Sequence, residues 1–64
     1  MSKVKTIGKF DIYRLEDNEQ IEKGLKWGLI NTETTRTTET IYPCDMDFFT
    51  ATKQAAIRRA MMWD

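Results

Sequence analysis

The sequence predicts an α+β fold: a three-stranded antiparallel meander with one C-terminal helix packed on one face (β-β-β-α). Three observations predict it. The run from Asp47 to Trp63 is free of Gly and Pro and rich in good helix formers. Lys3–Leu15 and Leu25–Asn31 alternate apolar and polar residues with the period of a half-buried strand. Thr35–Tyr42 is dense in Thr, a strong strand former, and carries little apolar payload, which suits an edge strand. Three strands covered by a helix can be stable alone, and the 64 residues are read as one small domain, 1–64.

In the first strand, Val4, Phe10 and Ile12 share a parity and are expected on the buried face, with Lys5, Lys9 and Asp11 on the other. Ile7, Tyr13 and Leu15 break this pattern. Gly8 is a candidate bulge that shifts the facing; alternatively the strand starts at Lys9. Glu16–Gly24 reads as a loop with one helical turn, because Asp17 and Gln20 have capping-box spacing and Gly24 suits a turn end. Ile21 is expected to tuck beneath it. The acidic part, Glu16–Lys23, reads as a solvated loop or an acidic contact patch.

The second strand should turn Leu25, Trp27 and Leu29 toward the helix, with Gly28 leaving room for close backbone approach or for a neighbouring aromatic. Asn31–Thr34 is a turn, since Asn accepts turn geometry easily. Pro43 ends the third strand, and Cys44-Asp45-Met46 leads into the helix.

Asp47 is the expected N-cap of the helix, with Asp45 and Thr52 as competitors. Phe49, Ala56, Ala60 and Trp63 form one apolar stripe, widened by Ile57. Phe48, Ala55 and Met62 form a second, about 100° away. Met61 lies beside Ile57. A helix this apolar around its girth wants more than one neighbour. One stripe is therefore expected on the sheet and the other against a second subunit or a target. Arg58 and Arg59 suit the C-terminal end of the helix dipole and could rim a contact. The residues expected to carry protein binding or dimerisation are Phe48, Arg58, Arg59, Met61, Met62 and Trp63. Aromatic residues, Met and Arg are enriched in interface cores. Tyr13, Leu15 and Ile30 are expected to add a contact patch on the other face of the sheet.

Composition narrows the function classes. Ten basic and ten acidic side chains balance, which argues against a general polyanion binder. The chain has no His and one Cys, so an intrachain disulfide is excluded and a dedicated zinc site is disfavoured. Without His there is no base near neutral pH and no Cys–His pair. No Gly-rich phosphate loop is present. No catalytic residue, metal or cofactor is expected, and the chain is read as a non-enzyme. Met1–Lys5 lacks the apolar core of a signal peptide, and no run approaches the ~18 apolar residues of a membrane span. A cytoplasmic location without a membrane partner is expected. Chains this short bury only about 60% of their unfolded surface, so a homodimer or higher oligomer is expected to supply the missing burial.

The alternative is a small DNA-binding transcriptional regulator using the sheet. Lys3, Lys5, Lys9 and Lys26 would lie opposite the helix with Arg36 nearby, positioned for phosphates and guanine. Asp11, Glu33 and Glu39 interrupt that surface.

The segments Lys26-Trp27-Gly28-Leu29-Ile30-Asn31-Thr32-Glu33-Thr34, Tyr42-Pro43 and Thr52-Lys53-Gln54-Ala55-Ala56 together resemble small sheet-plus-helix proteins of phage and prophage genomes. The resemblance implies a short stand-alone product that blocks a host protein, such as a defence protein, in the host cytoplasm, or that regulates transcription. It carries over no functional residue.

Overall fold

The computed structural model describes residues 1–35 and 40–62. It is an α+β fold: a four-stranded antiparallel sheet in the order β1-β2-β3-β4 with one C-terminal helix. The strands are β1 (Ser2–Ile7), β2 (Phe10–Arg14), β3 (Trp27–Asn31) and β4 (Phe48–Thr50), and the helix is α1 (Lys53–Met62). The expected count of three strands is corrected to four. The expected first strand is a hairpin, and the expected first turn of the helix is β4. The expected strand Thr35–Tyr42 lies partly outside the described residues, at 36–39, and its described flanks are not strand.

Gly8 makes the hairpin. Ile7 pairs with Phe10, leaving Gly8-Lys9 as a two-residue loop. Gly8 has φ 56, and no described non-Gly residue has a positive φ. A left-handed residue at the first loop position alone is the type II′ arrangement, which matches the twist of the flanking strands. The bulge falls at Val4 instead, where the register passes from Lys3↔Tyr13 to Lys5↔Ile12. The extra residue reverses the facing. Lys3 therefore shares a face with Tyr13, while Lys5 shares one with Ile12. Val4, expected in the core, is 47% exposed. Lysines and a bulge blunt this sheet edge against pairing with other chains.

Both faces of the sheet are covered. On the helix side, Phe10, Ile12 and Leu29 are buried with Ala56 and Ala60, and Ile7, Trp27, Phe48 and Ile57 pack around them. Ala56 and Ala60 lie one turn apart, so α1 meets the sheet through small side chains. On the other side, Leu15, Ile30 and Met46 are buried, flanked by Met1, Tyr13, Ile41 and Phe49. Tyr13, Leu15 and Ile30 thus form a second small core rather than the exposed patch expected from sequence. Gly28 lets Met46 sit close against the strand: a Cβ there would collide with the Met46 sulfur. The close neighbour is a thioether, not a ring.

Asp11, expected on a wet face, is only 6% exposed. Its carboxylate accepts the Thr6 hydroxyl at 2.6 Å from the directly opposite strand position. Burial, then the negative charge of Asp11, raises the pKa of the neighbouring Tyr13 phenol above its ordinary value.

The acidic loop does hold one helical turn, a 3-10 turn at Asp17–Glu19. Glu19 closes it by accepting the Glu16 N–H at 2.8 Å. The Met1 amino group contacts the same carboxylate at 2.9 Å. The ammonium first, and the Glu16 amide second, hold the Glu19 carboxyl below its usual pKa. Ile21 is not tucked beneath this loop; it is 58% exposed.

Neither Asp47 nor Asp45 caps α1. The Asp47 N–H donates to Leu29 O at 2.9 Å, and its carboxylate accepts the Asn31 N–H at 2.7 Å. Asp47 therefore fastens the incoming chain to β3. Asp45 accepts the Tyr42 N–H at 2.9 Å and closes a 3-10 turn at Pro43–Asp45. The cap is Thr52, whose hydroxyl accepts the Ala55 N–H at 3.1 Å while its carbonyl accepts Ala56 N–H at 3.2 Å. Thr52→Ala is expected to cost about 1 kcal/mol and to reduce helical circular dichroism. Asp47→Ala should leave the helical signal intact. The reverse pattern would return the helix start to Asp47.

Candidate protein-contact face

α1 has the sequence Lys-Gln-Ala-Ala-Ile-Arg-Arg-Ala-Met-Met over Lys53–Met62. Once Ala56 and Ala60 are turned to the sheet, helical spacing places Ala55, Arg58, Arg59 and Met62 on a neighbouring stripe. That stripe and Phe49 and Thr50 of β4 line one groove. Phe48 belongs to the helix-side core instead. Its ring lies 6.3 Å from that of Phe10, and the Arg59 guanidinium sits 4.4 Å from its centroid. This cation–π contact steers Arg59 along the groove without removing its charge.

Met61 and Met62 are 64% and 75% exposed at the end of α1, about 100° apart around the helix, and of the two it is Met62 that lines the groove. The other large exposed apolar side chains among the described residues, Val4, Ile21 and Tyr42, come from separate segments. Scattered single apolar residues are ordinary on a surface, whereas grouped ones mark contacts. The long apolar helix expected from sequence is corrected here. Phe48 and Phe49 are on β4, so the surplus on α1 comes down to the Met61–Met62 end. Trp63, also expected in the interface, lies outside the described residues.

The structure does not bring the expected nucleic-acid residues onto one open sheet face. Lys3 and Lys5 are on opposite faces, Lys9 is in the hairpin loop, and Lys26 precedes β3. Met46 and Ile41 cover the face opposite the helix. Arg36 lies outside the described residues.

A second depression is lined by Asp17, Gln20, Lys23, Gly24 and Lys26. Gln20 and Asp17 serve the loop itself: Gln20 Oε1 accepts the Gly24 N–H at 3.0 Å and Gln20 Nε2 donates to Asp17 at 3.4 Å. Cys44 is exposed in the Pro43–Asp45 turn and is not at the start of α1. No group of three or more candidate metal ligands gathers among the described residues. No described helix is long and apolar enough to cross a membrane.

Sequence reasoning missed that Phe49 and Thr50 line one groove with Ala55 and Met62. The signal was present: Phe-Phe-Thr is a run of strand formers, closely followed by a good helix cap at Thr52. No family model, curated protein or solved structure matches the chain. The site is therefore read from its own geometry.

Proposed function

We propose that this protein acts by protein–protein contact, without catalysis, through the outer face of the C-terminal half of α1 and its groove with β4. The observation that carries this reading is the exposed Met61–Met62 pair beside Arg58 and Arg59, on a fold whose sheet is already covered on both faces. Met adapts to irregular partner surfaces, and Arg supplies both stacking area and charge. The more particular role, a phage-type inhibitor of a host defence protein, draws its support from the sequence resemblance. A homodimer seam is the competing use of the same face.

Met62→Asp tests the reading. The substitution is expected to change unfolding free energy by no more than about 0.5 kcal/mol, as exposed positions do. It should abolish complex formation in proximity cross-linking, or self-association in light scattering. A variant that unfolds would make Met62 part of the core. A folded variant that keeps every partner would place the contact elsewhere.

A further inference from the structure

Charge tells what kind of partner fits the groove. α1 carries Lys53, Arg58 and Arg59 and no carboxylate, although the whole chain is neutral. The described lining of the groove contains both arginines and no acidic residue. The one salt bridge among the described residues joins Met1 and Glu19, far from this face in sequence, so neither Arg58 nor Arg59 is neutralised by a described carboxylate. Of the ten acidic residues, four, Glu16, Asp17, Glu19 and Glu22, lie in one loop and two, Asp45 and Asp47, before β4, while Asp64, beyond α1, lies outside the described residues.

Resting on the contact reading above, we propose that the occupant is an acidic segment of another protein bearing at least one large apolar side chain. The apolar side chain enters between Phe49, Ala55 and Met62. Flanking carboxylates meet Arg58 and Arg59, whose planar forks can bind them bidentately. The same charges disfavour a two-fold symmetric dimer here. An isologous contact sets a patch against its own copy, so both arginine pairs would face each other with no acid of the described residues between them. Like charges so opposed repel. Arg58 and Arg59 also suit the helix C-terminus, but that role requires neither the absence of acids from α1 nor a groove beside them.

The test is selection from a random twelve-residue peptide display library on the immobilised full chain, followed by fluorescence anisotropy with labelled winners. Enriched peptides should combine Asp or Glu with an aromatic or aliphatic residue, and their affinity should fall as salt is added. The double variant R58E/R59E should weaken them by about tenfold or more, with an unchanged circular dichroism spectrum because both side chains are exposed. Peptides that are neutral or basic, or that ignore R58E/R59E yet are lost in Met62→Asp, would overturn the acidic partner and keep the contact face. Failure to enrich any peptide, or winners indifferent to Met62→Asp, would sink the contact face itself. Concentration-dependent self-association abolished by Glu16→Lys with Glu22→Lys would reassign the occupant to a second copy, docked head to tail, and overturn the foreign partner.

Discussion

Leu29→Ala is expected to lower the unfolding free energy by about 2–5 kcal/mol, the usual cost of removing a fully buried leucine. Leu29 has no exposed surface. It sits on an inner strand, opposite Ile12 on one side and Phe48 on the other. Its side chain belongs to the cluster that holds Ala56 and Ala60. Those alanines are too small to swing into the vacated space, so the cavity term should be near its upper range. At about 0.05–0.15 kcal/mol per residue, a domain of 64 residues has a total stability of roughly 3–10 kcal/mol. The single change therefore removes a large share of it. Urea denaturation checks the effect: the midpoint should fall with little change in slope. Met62→Ala, measured beside it, should shift the midpoint negligibly. A Leu29→Ala cost below about 1 kcal/mol would mean that α1 does not rest on β3 as described.

The second large effect is a coupling. Gly28→Ala is expected to destabilise by about 1–3 kcal/mol, because the added methyl occupies the place of Met46 Sδ. Met46→Ala alone should cost about 2–5 kcal/mol through the cavity it leaves in the second cluster. The double variant should be less damaged than the sum of the two, since the new methyl then faces the space that Met46 vacates. A favourable interaction of about 0.5–3 kcal/mol is the range for residues in contact. Additive costs would separate Gly28 from Met46 and remove the reason for a glycine in the middle of β3. The cycle also asks whether the 41–47 segment is seated on the sheet, which decides how much of that face remains for any partner.

Much of the architecture was legible from local pattern. The alternation of Phe10 with Ile12 and of Trp27 with Leu29 identified the helix-facing side, because strand side chains alternate by geometry alone. Ala56 and Ala60 were assigned to the inward stripe by helical spacing. The arginines and methionines of the candidate face were also visible, since exposed charge beside surplus apolar residues at a helix end needs no tertiary contact to be seen. Phe48 and Phe49 were misread because aromatic residues fit either a helix or a strand. Only pairing with Leu29 and Gly28 decides between them. Asp47 was misread for a related reason: a short carboxylate can cap a helix or accept any other amide within reach. The amide it accepts belongs to Asn31, sixteen residues earlier.

The sequence by itself determined the class of fold, the sides of the central strands and the basic, methionine-bearing end of the helix. These follow from periodicity and side-chain chemistry, which act over a few residues. Tertiary structure alone decided where β4 ends and α1 begins, which way the bulge at Val4 turns Lys3 and Lys5, and that Met46 closes the second face over Gly28. Each of these depends on a partner distant in the chain, and a local pattern holds no information about which distant group arrives.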